Sequence, residues 1–224
     1  MALATRTESL KLIREADHMT IDLDSLQGSW TETQYLRLTD ATPCLVEFTD
    51  GFLEVLPMPT DNHQVILQFI LLALLAFVEP RGGKVLFAPL RMRIRANKFR
   101  EPDLLLVREA NDPRRQNRFW LGADLVVEVV SEDNPERDTV EKVLDYAEAG
   151  IPEYWIVNPL DETVTVLTLR GEHYATHGVF RRGEVATSVL LAGCVLVVNS
   201  QGFRGQVSGI RSNIPPPVAA NPDP

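Results

Sequence analysis

The sequence predicts an α/β fold of the mixed, α+β kind: a central mixed β-sheet flanked by helices. Three observations lead there. Apolar stretches of strand length alternate unevenly with helical ones, in the order hairpin, helix, three strands, helix, strand. Residues Leu125 to Val130 are apolar on both faces except Glu128, the pattern of a central strand covered from both sides. A barrel or a doubly wound sheet would need more regular strand–helix alternation than the chain contains.

Taken in order, residues 1–28 are mixed and weakly periodic, and read as a short helix or loose arm. Ser29-Trp-Thr-Glu32 has capping-box spacing, and Tyr35, Leu36 and Leu38 give a helix over about 30–39 something to bury. Cys44–Phe48 and Phe52–Leu56 flank Asp50-Gly51, a pair that tolerates positive φ, so they predict a hairpin. Pro57 and Pro59 end it, and Asp61 or Asn62 is placed to cap a helix starting near His63. That helix contains Val65 to Val78, 14 residues interrupted only by Gln68. Its apolar run spans roughly 21 Å against the ~30 Å of a bilayer core, which predicts a buried helix rather than a membrane span. Because it is apolar almost all round, it should be covered on most sides, by the sheet and by a second subunit.

After Gly82-Gly83, Val85 to Leu90 is a strand, and Leu90-Arg-Met-Arg-Ile-Arg95 alternates strictly, with Leu90, Met92 and Ile94 inward. Pro102 introduces a strand at Asp103–Val107, where a missing ladder donor does least harm. Residues 109–123 are polar and predict an exposed loop. Asn134-Pro135 and Gly150 bracket a helix whose predicted core stripe is Val140, Val143, Leu144 and Ala147. Tyr154–Val157 is a further buried strand that places Trp155 in the core; Val164–Leu169 and His173–Val179 form a later hairpin, and Val195–Val198 a last strand. His18, His173 and His177 read as surface residues. Five of the final eleven residues are proline, which predicts a disordered tail over 204–224. The domain proper is expected over 29–203.

Composition bounds the function. A chain of 224 residues with 45% hydrophobic content suits one well-buried core. Cys44 and Cys194 are too few for a disulfide framework, and the first residues lack a basic start followed by an apolar core. A cytoplasmic location is therefore expected, with no membrane partner. The net charge of −9 argues against gripping nucleic acid with the whole surface, but the window from Arg91 to Arg118 carries nine basic and four acidic residues. Either local positive potential or an ordinary solvated surface would account for it.

Within Arg100–Asn158, one acid stands in an apolar strand (Asp103), a second stands 25 residues on in another (Glu128), and a lysine (Lys142) lies on the next helix. Two carboxylates on neighbouring strands can hold Mg²⁺ or Mn²⁺, which prefer oxygen ligands and keep waters. A nearby ammonium can offset charge developing on a phosphoryl group, so the chemistry suits phosphodiester hydrolysis. Each residue has an ordinary alternative. Asp103 could be a strand-entry acid, and Lys142 could pair with Asp138 on solvent. Glu47 could order the hairpin, and His63 could cap its helix. Tyr146 reads better as packing or as a positioning hydroxyl than as an acid or base.

Pro102-Asp103 followed by Glu128-Val-Val130 resembles the PD-(D/E)XK signature of restriction-endonuclease-like nucleases. Glu47–Gly51, Pro59–His63, Leu125–Ser131, Asp138-Lys142-Tyr146 and Ala149-Gly-Ile-Pro-Glu-Tyr-Trp-Ile-Val-Asn-Pro159 together resemble the Uma family of "putative restriction endonucleases", over roughly 29–203. The resemblance implies a restriction-endonuclease-like core and a Mg²⁺- or Mn²⁺-dependent endonuclease acting on DNA. Asp103 and Glu128 would ligate the metal, and the main-chain carbonyl of Val129 would add an oxygen. The signature's lysine falls at Val130, so Lys142 would supply the ammonium. Asp138, Lys142 and Tyr146 share a helix face by spacing, while Glu47 and His63 match the family pattern as further ligand or proton carrier. A homodimer is expected, since two cuts on opposite strands call for a dyad. Two rivals stay open: a catalytically weak binding or assembly module of the same fold, and an unrelated metal hydrolase of small phosphate esters.

Overall fold

The computed structural model describes residues 11–14, 19–22 and 24–198. Strands β1 (Lys11–Arg14) and β2 (Met19–Asp22) pair antiparallel and lead into a 3-10 turn at Asp24–Leu26. Where it is described, then, the first segment is a short hairpin and not a helix. Helix α1 (Glu32–Ala41) is capped by Thr31, whose hydroxyl accepts from the Gln34 amide while the Gln34 side chain accepts from the Thr31 amide. The capping box thus sits two residues beyond Ser29. β3 (Val46–Thr49) and β4 (Phe52–Val55) form the expected hairpin, with Asp50 and Gly51 at φ 47° and 94°. Helix α2 (Asp61–Val78) starts two residues before His63, behind a Thr60 cap: the Thr60 hydroxyl accepts from the His63 amide, a job neither Asp61 nor Asn62 performs.

β5 (Lys84–Phe87), β6 (Met92–Arg95) and β7 (Lys98–Arg100) follow, β7 being a strand its charged residues conceal. β8 (Leu104–Val107) and β9 (Leu125–Val129) are buried at every position. The 109–123 segment is a loop, but Trp120 within it is buried and bridges to Met92. After β9 comes a π-helical turn, Arg137–Glu141, which runs into α3 (Lys142–Glu148). β10 (Glu153–Asn158), β11 (Thr163–Arg170), β12 (His173–Arg181), β13 (Val185–Thr187) and β14 (Val195–Val197) complete the described chain. The 204–224 segment and His18 lie outside the described residues; His173 and His177 are exposed.

Six strands form the main sheet in the order β12-β11-β10-β9-β8-β5, and β4-β3-β7-β6 form a second sheet. The β9–β10 pair is parallel and the other pairs in the main sheet are antiparallel, so the sheet is mixed; the α3 crossover makes the parallel step possible. Strand alternation divides the core. Leu104, Leu106, Leu125, Val127, Trp155 and Val157 pack under α2, while Leu105, Val126, Tyr154 and Ile156 pack on the other face with Tyr146, Met92 and Trp120. Glu128 falls between Val127 and Val129, and so points to the α3 face.

One expectation about helices is met in part and another is corrected. α2 packs Ile66, Leu67, Ile70, Leu74 and Val78 against the sheet as expected, and among the described residues Val65 and Leu72 are left exposed on its outer side. Asp61–Arg81 is long and apolar enough to cross a membrane by length and composition, but its inner face packs into the core of the sheet. Across the π turn and α3 the predicted stripe holds only in part: Val143 packs against the core, but Val140 is 53% exposed and Leu144 64%, while Asp138, Lys142, Asp145 and Tyr146 are buried. The helix turns its charged face inward because acids on β3 and β9 stand there to receive it.

Candidate functional site

Register places the two acids together. Leu104 pairs with Val127 across β8–β9, and one step further along that antiparallel ladder sets Asp103 opposite Glu128 on the same face. Side chains and amides then cross-brace: the Val129 amide donates to Asp103 Oδ2 at 2.8 Å, and the Asp103 amide donates to Glu128 Oε2 at 3.3 Å. Pro102, having no amide hydrogen, asks nothing of the ladder here. From the first turn of α2, His63 Nε2 lies 3.1 Å from Asp103 Oδ2.

The π turn supplies the lysine. The Lys142 amide donates to the Arg137 carbonyl, five residues back, which admits one extra residue into the turn, a feature often found at functional sites. Lys142 Nζ stands 3.0 Å from Glu128 Oε1, 3.1 Å from Asp138 Oδ1 and 3.7 Å from Glu47 Oε1. The Lys142–Asp138 pair is therefore not a solvent contact: each side chain is 5% exposed. One turn on, the Tyr146 hydroxyl donates to Glu128 Oε1, and the Tyr154 hydroxyl donates to the Asp138 carbonyl at 2.8 Å.

Glu47, on β3, closes the other side. Its carboxylate accepts from the Glu101 amide at 3.1 Å and lies 3.4 Å from Arg100 Nε, which in turn binds Asp145 at 2.7 Å. Glu47, His63, Asp103, Glu128, Val129, Lys142 and Tyr146, spread over a hundred residues of sequence, are thus one assembly. All but Glu47 and Tyr146 line a cleft of about 180 Å³, joined by Glu101, Asp138, Arg137 and Ser131.

Charge is unevenly matched inside. Burial pushes the Glu128 carboxyl well above its usual range; Lys142 pulls it back, while Asp103 and Asp138 push it further up. Burial likewise raises Asp138 against the pull of Lys142. For Lys142 burial acts downward, but Glu128, Glu47 and Asp138 outweigh it and hold the ammonium well above its usual pKa. Burial lowers His63, yet its hydrogen bond to Asp103 and the charges of Asp103 and Asp138 carry it above the ordinary imidazole value. Glu101 is raised to about 7 by burial and by Glu47. Burial lifts the Tyr146 hydroxyl well above its normal value, so it holds its proton and positions Glu128.

Two buried atoms of cleft residues, His63 Nδ1 and Glu101 Oε2, have no hydrogen-bond partner among the described residues. Glu153 shows how the fold treats an acid that is only structural. It is fully buried, and Trp155 Nε1, the Ser188 hydroxyl and the amides of Val189 and Leu190 all donate to it.

Sequence reasoning missed Glu101, Arg100, Arg137 and Asp145. The only signal for the first two was adjacency to Pro102-Asp103, and a run of charges in a strand does not announce burial. It also left open a positive surface from Arg91 to Arg118. The structure removes most of that field. Arg91 and Arg118 pair with Asp40, Arg93 with Glu32, and Arg95 with Asp50 and Glu148. Lys98 pairs with Asp145, Arg114 with Asp112 and Asp124, and Arg108 with Asp124; Arg115 instead binds the Ala110 carbonyl and faces the Trp120 ring.

A family model, Uma2, described as "Putative restriction endonuclease", matches residues 32–199. Among solved structures, the chain is similar to "a putative nuclease belonging to DUF820" from Anabaena variabilis, with a TM-score of 0.60 and 20% identity over 74% of this chain and 95% of that one. At that identity the likeness concerns the fold. No curated protein matches the chain.

Proposed function

The chain belongs to the Uma2 family, and from that premise we propose that it is a Mg²⁺- or Mn²⁺-dependent phosphodiesterase acting on DNA, with Asp103 and Glu128 as metal ligands and Lys142 as the cationic group. The observation that carries this reading is the opposition of Asp103 and Glu128 across the β8–β9 register, with Lys142 Nζ 3.0 Å from Glu128.

The donor set fits such an ion. Among the described residues no group of three His, Cys, Asp or Glu side chains is arranged to hold a cation, which argues against a protein cage of the zinc or calcium kind. Mg²⁺ and Mn²⁺ need less from the protein: one or two carboxylates, with waters and phosphate oxygens making up the rest. Asp103, Glu128 and the Val129 carbonyl are the candidates, and a divalent charge would offset the burial and the neighbouring carboxylates that push Glu128 upward. When bound, the ion supplies a polarised phosphoryl oxygen and a water of lowered pKa.

The chain's own residues do the rest. Tyr146 and the Asp103 amide fix the Glu128 carboxylate, while the Val129 amide and His63 fix Asp103. Lys142 stays charged and offsets negative charge developing on the phosphoryl group. His63, through Nε2, holds Asp103 in place, while among the described residues nothing meets its buried Nδ1. Glu47 holds Lys142 and Arg100 rather than facing the cleft. A second copy of the chain would cover the outward apolar face of α2 around Val65 and Leu72.

Plasmid and circular single-stranded DNA incubated with Mn²⁺ test the reading. We expect cleavage that falls at least 100-fold in Asp103→Ala and Glu128→Gln proteins. Cleavage unaffected by both changes would refute it. One observation favours the rival binding module: Lys142 already balances part of the acid cluster without an ion. DNA binding with no cleavage under any divalent metal would select that reading.

A further inference from the structure

Resting on the nuclease reading, we propose that the cleft takes one unpaired nucleotide of a single strand rather than a duplex segment, with its base against Phe87 at the rim and its phosphodiester drawn down to Asp103 and Glu128.

Depth is the first reason. The Glu128 side chain is 3% exposed and that of Asp103 16%, so a scissile phosphate must leave the contour of a duplex backbone and enter the cleft. Its volume of about 180 Å³ is below the ~300 Å³ at which ordinary small-molecule pockets begin. That space suits a phosphodiester and an ion, and leaves the base outside.

The rim is the second. Phe87 is 54% exposed where it lines the cleft, and Met58, between the lining residues Pro57 and Pro59, is 77% exposed. An exposed aromatic beside a buried acid cluster is a stacking platform that any base can use, whatever its sequence. Gln64 and Ser131 also line the cleft and offer polar groups.

Charge is the third. A duplex needs cationic groups along both strands. The cleft's own Arg137 is committed to Glu54 at 2.6 Å, and every arginine of the 91–118 window except Arg115 is paired with an acid. One strand whose base stacks on Phe87 requires fewer free cations, because stacking supplies part of the affinity.

The test uses the full chain with a 12-nucleotide strand carrying 2-aminopurine at its centre, alone and annealed to its complement. Binding is followed by anisotropy and by 2-aminopurine quenching in Ca²⁺, an oxygen-liganded divalent ion that offsets the carboxylates, and cleavage separately in Mn²⁺. The single strand is expected to bind at least 10-fold more tightly than the duplex. Phe87→Ala should weaken that binding by about 5- to 150-fold, the range set by stacking on one aromatic ring, and abolish quenching, while Phe87→Trp retains both. Phe87 is exposed, so neither change threatens the fold. Equal or tighter duplex binding, or Phe87→Ala binding like the wild type, overturns the proposal. The two readings separate: duplex cleavage lost in Asp103→Ala but indifferent to Phe87 sinks this inference alone. Binding through Phe87 without cleavage in Mn²⁺ upholds the nucleotide site and sinks the nuclease.

Discussion

Replacing Lys142 with methionine keeps most of the side chain's volume and deletes the ammonium that stands within 3.0–3.7 Å of Glu128, Asp138 and Glu47. All four side chains are at most 5% exposed, so water cannot take over the role of the lost cation. Breaking a buried ion pair from one side costs roughly 3–5 kcal/mol, and we expect that loss at pH 8, with a Tm lower by about 6–20 °C for a chain of this size. The penalty should depend on pH. Glu128 and Asp138 already sit above their usual pKa values, and without Lys142 they rise further. A carboxylate whose folded pKa exceeds its unfolded one loses stability as pH rises through that interval, so the deficit is largest at pH 8 and shrinks toward pH 5, where the folded protein takes up the protons. Urea unfolding followed by tryptophan fluorescence at both pH values measures it, and the double variant Lys142→Met with Glu128→Gln should recover a large part of the loss. A single variant within 1 kcal/mol of wild type at pH 8, or a double variant no better than the single, would refute the buried cluster.

Glu101→Gln should stabilise the protein at pH 8 by about 2–3 kcal/mol, because a carboxyl raised to about 7 is costly to ionise in the folded state. The gain should vanish below pH 4.5, where both states hold the proton, and urea titrations at the two pH values would show it. Leu144→Gln should change stability by no more than about 0.5 kcal/mol, as for an exposed position; a cost of several kcal/mol in the same titration would restore Leu144 to the apolar stripe. Gly51→Ala should cost about 1–3 kcal/mol by thermal unfolding, since Gly51 sits at φ +94° and a Cβ there would come within 2.6 Å of the Gly28 carbonyl oxygen.

Strands read well from sequence where burial was two-sided. Leu125–Val129 and Tyr154–Val157 contain little but apolar residues, and only a sheet interior accepts that pattern in so few residues. The β3–β4 turn was legible for a local reason, the backbone freedom of Asp50-Gly51. β7 was not, because Lys98 and Arg100 look like surface residues until Asp145 and Glu47 are brought against them. The α3 region was misread for the same reason: Val140 and Leu144 face outward, since carboxylates fourteen and ninety-five residues before Lys142 claim the inside.

By itself the sequence determined the family, the mixed sheet, and several of the residues that gather at the cleft, because each rests on short-range pattern or on an ordered set of motifs. Only the tertiary structure decided what those residues do to one another. Asp103 meets Glu128 through strand register, Lys142 reaches them through a π turn, and all but Arg115 of the basic window's arginines are paired with acids from α1, the β3–β4 turn, α3 and the segment around Asp112 and Asp124. Electrostatic character belongs to pairs separated by long stretches of chain, and a linear pattern carries no record of which charge will be buried against which.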